Sequence, residues 1–155
     1  MNTDKKQYKI VKFKENQWKR CFSITDDDIT ELEKKLGEKI PDNLRELIIK
    51  CNGGKPEKTY FYNVENEVEI GSLLPVSPPK SFKGQSLEKV YNLLQSTSKS
   101  GLIPFAYDTG NAGVFCLDTA SGEVIYWIHN YPEEPFRVIT GSFDEFIKEL
   151  GFPPY

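Results

Sequence analysis

His129 is the only histidine in the chain, so a zinc site assembled from several imidazoles is out of reach. Three cysteines, Cys21, Cys51 and Cys116, are scattered along the sequence without a C-x-x-C. That spacing gives neither a zinc ribbon nor a thioredoxin-type redox site. A Cys–His dyad fails on register. If Asp118 faces Glu123 across a turn, Cys116 faces Ile125 and His129 faces Ala112. His129 then lies about four residues, or roughly 13 Å, along from Cys116, whereas a nucleophile and its base need ~3 Å. A G-x-S-x-G elbow is absent. Gly110 and Gly113 fall between two strand patterns, the context of a hairpin turn rather than of a phosphate loop. Asp108 and Asp118 flank that hairpin. They fit either a general acid–base pair or, more commonly, carboxylates that bond turn amides. The residues therefore point to a protein that is not an enzyme and that holds no metal or cofactor.

Aromatic side chains are the next candidates for function. Tyr60, Tyr62, Tyr107, Tyr126, Trp127, Tyr131 and Phe136 lie on or beside strand-like segments. A stacking platform for single-stranded nucleic acid needs Lys and Arg interleaved with its rings, and residues 124–128 contain none. Charge argues the same way. Residues 1–20 hold seven Lys/Arg against Asp4 and Glu15, a balance of +5, while the whole chain carries −3, which leaves −8 on the remaining 135 residues. A body that acidic repels a phosphate backbone and attracts a basic partner. Direct nucleic-acid binding is disfavoured, and Tyr and Trp at a sheet rim are typical anchors of protein interfaces.

The elements that position these residues are legible from period and punctuation. Residues 8–13 read as a short strand, and Trp18, Phe22 and Ile24 as a second extended piece. Thr25 with Asp28 forms a capping box; Ile29, Leu32 and Leu36 make one apolar stripe that Gly37 ends. Pro41 restarts a helix at a first-turn position, with Leu44, Leu47, Ile48 and Cys51 on one face and Asn52-Gly53-Gly54 as its stop. Residues 60–62 and 68–74 read as strands, and Leu87, Val90, Tyr91 and Leu94 as a third helix. Residues 102–107, 114–118, 123–129 and 136–139 form a meander of strands. Ser142 with Glu145 caps a last helix carrying Phe143, Phe146, Ile147 and Leu150. The expected fold is α+β, with a mainly antiparallel sheet, an N-terminal helical hairpin and further helices packed around it. At 155 residues the chain suits a single domain: a basic segment, 1–24, belonging with a body of 25–155. No apolar run reaches signal-peptide or membrane-span length, so the expected location is the cytoplasm, without membrane contact.

These blocks, in this order, resemble the SUKH superfamily, which includes Syd-like proteins and fungal cell-wall-assembly regulators. The run ITELEKKLGEKIPDNLRELIIKCNGG, Ile29 to Gly54, is similar to the family's N-terminal signature. Leu73-Leu74-Pro75-Val76, then Leu102-Ile103-Pro104-Phe105-Ala106 with Asp108, Gly110 and Asn111, are similar to its next blocks. Phe115-Cys116-Leu117-Asp118, Gly122, residues 124–128 and Ser142-Phe143-x-x-Phe146 complete the set. Ile40 stands where Leu is usual, residues 77–101 match most loosely, and the basic N-terminal segment has no counterpart. The resemblance implies a mixed α+β domain without catalysis. It further implies an immunity protein that binds and neutralises a toxin, often a nuclease, of a bacterial polymorphic or contact-dependent system. An interaction scaffold in a housekeeping pathway is the alternative. The expected partner-binding residues are Tyr60, Tyr62, Asp108, Asn111, Tyr126, His129 and Tyr131. Neither the toxin nor an oligomeric state follows from the sequence.

Overall fold

Lys14 and Glu15 both take left-handed backbone angles, φ 52° and 59°, as a tight two-residue hairpin turn requires. They join β1 (Lys9–Phe13) to β2 (Asn16–Cys21) in a computed structural model that describes residues 8–63, 66–97, 100–110, 112–128 and 135–155. Val11 pairs with Trp18, whose indole is fully buried and donates to the Phe13 carbonyl at 3.2 Å. β3 (Lys55–Pro56) adds to β2 and makes a three-stranded antiparallel sheet. The expected N-terminal helical hairpin is therefore corrected: the first elements among the described residues are strands, because Val11, Trp18 and Pro56 gain burial by pairing across them.

Two helices follow the first hairpin. α1 (Asp26–Leu36) starts at the Thr25–Asp28 capping box and stops at Gly37, φ 70°. Pro41 is the N-cap of α2 (Asp42–Cys51), not its first turn, because its ψ of 147° is extended. Arg45 of α2 reaches back to α1, pairing with Asp26 at 3.2 Å and with Glu33 at 3.1 Å. Glu33 in turn accepts the Ile40 N–H at 2.7 Å, so one carboxylate holds both the connecting segment and α2.

The remaining strands are β4 (Tyr60–Tyr62), β5 (Glu67–Leu73), β6 (Leu102–Asp108), β7 (Val114–Asp118), β8 (Val124–Trp127) and β9 (Phe136–Thr140). They form a six-stranded antiparallel sheet in sequence order. Cys116 faces Ile125 in it, as the hairpin register predicts. The sheet curls until its two edges meet. Asn63, just past β4, donates to the Ile139 carbonyl of β9 at 2.9 Å, and the buried Asn66 side chain donates to the same oxygen at 3.3 Å.

The concave side is filled by α4 (Phe143–Lys148), whose cap Ser142 accepts the Glu145 N–H. Phe146 sits 5.0 Å from the Phe61 ring, 5.5 Å from Phe115 and 6.2 Å from Phe105. On the other face α3 (Leu87–Leu94), capped by Ser86, packs on β6 and buries Val90 and Leu94. Among the described residues no helix is long and apolar enough to cross a membrane.

Candidate protein-binding surface

Asp108 and Asp118 lie at opposite ends of the β6–β7 ladder, since Asp118 pairs with Leu102, the other end of β6. Six residues of strand put them roughly 20 Å apart, too far for a shared acid–base step. Each carboxylate instead accepts turn amides, Asp108 from Ala112 at 2.9 Å and Asp118 from Ala120 at 2.9 Å. The Tyr126 hydroxyl donates to the other Asp108 oxygen. Burial, then that bond to a carboxylate, push the Tyr126 phenol pKa up.

Gly113 lets this pair form. A Cβ there would stand 2.5 Å from the Tyr126 ring, which cannot swing aside because Phe115 packs on it at 4.9 Å and Asp108 holds its hydroxyl. Gly113→Ala is therefore expected to cost about 1–3 kcal/mol, the usual penalty of overpacking. Chemical denaturation checks it, and an unchanged midpoint would show that the ring relocates freely.

Tyr60 and Tyr62 lie on the opposite face of the sheet from α4. Phe61 points to Phe146, and side chains alternate along a strand. Their cross-strand partners are Glu69 and Glu67. The Tyr60 hydroxyl bonds Glu67, and this carboxylate, with some burial, pushes the phenol pKa up to about 12. For Glu69 burial works to raise the pKa, but hydroxyls of Thr59, Tyr155 and Thr109 outweigh it and hold the group below its ordinary 4.5. Tyr62 is 64% exposed, and Glu67 is exposed beside it. The expected binding residues thus divide between two faces, Tyr60 with Tyr62 and Asp108 with Tyr126. Asn111, His129 and Tyr131 lie outside the described residues.

Beside the tyrosine–glutamate face opens a groove of about 1150 Å³. Its floor includes Tyr107, Val114 and Trp127, the last stacked on Phe136 at 6.4 Å. Its rim carries three large apolar side chains open to solvent: Tyr8 at 55%, Leu93 at 55% and Phe82 at 37% exposure. Thr109 lines the groove and donates to Glu69 at 3.4 Å, so groove and acidic face are continuous. The groove was not anticipated, because its walls come from Tyr8, from Arg20 of β2 and Lys55 of β3, from β5 and the segment after it, from α3 and from the meander. One signal was available: Leu93 stands outside the stripe of Leu87, Val90, Tyr91 and Leu94.

A second unanticipated contact joins Cys21 of β2 to Cys51 of α2, distant in sequence and both buried as free thiols. A hydrogen bond from Cys51 lowers the Cys21 thiol pKa against the effect of burial, and the same bond raises that of Cys51. Gly54 makes room for them, since a Cβ there would lie 2.7 Å from the Cys21 sulfur. Among the described residues no group of three or more His, Cys, Asp or Glu is arranged to hold a metal ion.

The sequence model of the SMI1 / KNR4 family (SUKH-1) matches residues 23–149. A relative in Bacillus subtilis (strain 168), the SPbeta prophage-derived uncharacterized protein YokK, is 24% identical over 147 residues, covering 84% of this chain and 76% of that protein.

Proposed function

Because the chain belongs to the SMI1 / KNR4 family (SUKH-1), we propose that it is an immunity protein, which binds a partner toxin in the cytoplasm and blocks it without catalysing a reaction. The observation that carries this reading is the groove: an apolar floor, three exposed apolar rim residues, and an adjoining face of Tyr60, Tyr62, Glu67 and Glu69. Exposed apolar patches of this kind mark interaction sites on soluble proteins, and aromatic anchors in a pocket supply most binding energy.

Charge narrows the partner. Carboxylates beside the groove complement a cleft of Lys and Arg, as a nuclease uses on phosphate, and would accelerate association and fix orientation. Tyr60, Tyr62, Asp108, Asn111, Tyr126, His129 and Tyr131 are proposed contacts; Asp108 and Tyr126 serve by holding the β6–β7 turn as well. A prophage-borne relative supports competition between genetic elements over a housekeeping scaffold.

The test is complex formation. The C-terminal domain encoded immediately upstream is mixed with this protein and followed by size-exclusion chromatography and calorimetry. A stable one-to-one complex is expected. Binding instead to several unrelated host proteins, with none to that domain, would support the scaffold.

A further inference from the structure

The family match begins at residue 23, so β1 and β2 precede it. What they build with β3 differs in charge from the rest of the molecule. Lys9, Lys12, Lys14, Lys19, Arg20, Lys55 and Lys58 face only Glu15 and Glu57 within these segments. None of the seven forms a salt bridge with a described residue. Lys9 donates to Ser23 and Lys58 to the Glu15 carbonyl, with Lys58 also 5.7 Å over the Phe152 ring, so neither meets a carboxylate. Lys19 and Lys55 sit directly opposite one another across the β2–β3 ladder. Like charges in that position oppose sheet formation; the Glu69 carboxylate near Lys55 offsets part of this, though three hydroxyls already engage it.

Geometry adds an open edge. β1 pairs with β2 on one side only, and on the other with no described strand. The Val11 N–H bonds the Cys21 sulfur and the Phe13 carbonyl accepts from Trp18, so both point inward. Alternation along a strand then turns the main-chain groups of Ile10 and Lys12 outward. On the solvent face a depression of about 510 Å³ lies among Ile10, Lys12, Gln17, Glu57, Lys58 and Phe152. Ile10 and Phe152 are 62% and 61% exposed there.

We propose that the β1 edge of this basic sheet is a second docking surface, distinct from the groove that Arg20 and Lys55 line on its other side, and that it takes an acidic extended polypeptide segment as an added strand on β1. The segment's main chain bonds the open edge at Ile10 and Lys12. Its carboxylates answer Lys12 and Lys19, and an apolar side chain sits against Ile10 and Phe152. Such strand addition draws affinity from main-chain bonds and selectivity from side-chain pockets. A second copy of this chain fits poorly, because β1–β1 pairing brings two lysine-rich strands side by side without a carboxylate between them. Nucleic acid fits less well than a peptide, because a sugar–phosphate backbone offers no amide ladder to the open main chain of Ile10 and Lys12.

The probe is a short synthetic peptide of alternating glutamate and valine, titrated into the full-length protein and read by amide chemical shifts. Saturable shifts centred on residues 9–13 are expected, weakening as salt rises. Lys12→Glu combined with Lys19→Glu should weaken binding about tenfold or more by replacing attraction with repulsion. Ile10→Pro, tolerated on an edge strand, should weaken it similarly by removing an outward N–H. Thermal denaturation verifies that both variants fold. Absence of saturable shifts, equal binding by the folded variants, or shifts caused by oligothymidine but not by the peptide would overturn the proposal. The variants should still form the toxin complex, which keeps this test distinct from that of the immunity reading. Loss of that complex in a folded variant would overturn the separateness of the two surfaces.

Discussion

Phe146→Ala is expected to destabilise the fold by about 3–5 kcal/mol, the range for removing a buried phenylalanine. For a chain of this length that corresponds to a fall of roughly 6–20 °C in Tm. Phe146 has no exposed surface, and its ring touches Phe61 of β4, Phe105 of β6 and Phe115 of β7. It therefore joins α4 to strands from an edge and from the middle of the sheet. The surrounding rings belong to backbone fixed by ladder hydrogen bonds and cannot collapse into the space. Phe146→Leu, which keeps most of the volume, should cost about half as much or less. Denaturant midpoints for both variants decide the matter. A loss below about 1 kcal/mol for the alanine would mean that α4 contributes little to the curl of the sheet.

The second large effect is on binding. Phe82→Glu combined with Leu93→Glu should weaken the toxin complex by about thirtyfold or more, the loss expected when apolar anchors worth about 2 kcal/mol are removed. Stability should change by no more than about 1 kcal/mol, because both side chains are already open to water and exposed substitutions cost ~0.5 kcal/mol each. Calorimetric titration beside a thermal melt separates the two readings. Unchanged affinity in the folded double variant would move the interface away from the groove. Tyr62→Ala and Glu67→Lys would then identify the acidic face as the principal contact.

Helix punctuation was legible in the sequence because it is local. Thr25 with Asp28, Gly37 and Ser142 act on the turn in which they stand, and the same holds for the carboxylates of Asp108 and Asp118. Cys116 opposite Ile125 could be read as well, since a short turn sets the register. Long-range consequences were not legible. Trp18 reads as extended, as β2 shows it, but its cross-strand neighbours are not legible: Val11 and Pro56 flank it, and Pro56 is distant in the chain. Tyr60, Tyr62, Asp108 and Tyr126 read as one group of aromatic and acidic residues, but strand alternation and the position of α4 put them on two faces. The groove and the Cys21–Cys51 contact exist only once separate segments are brought together.

The most direct test of the account is growth rescue. The C-terminal domain encoded by the adjacent upstream gene is expressed in a bacterial host with and without this protein, and viable counts are followed. Toxicity relieved by the wild-type protein, and not by the folded Phe82→Glu, Leu93→Glu variant, is the predicted result. A toxic domain that kills equally in the presence of this protein would contradict the immunity function.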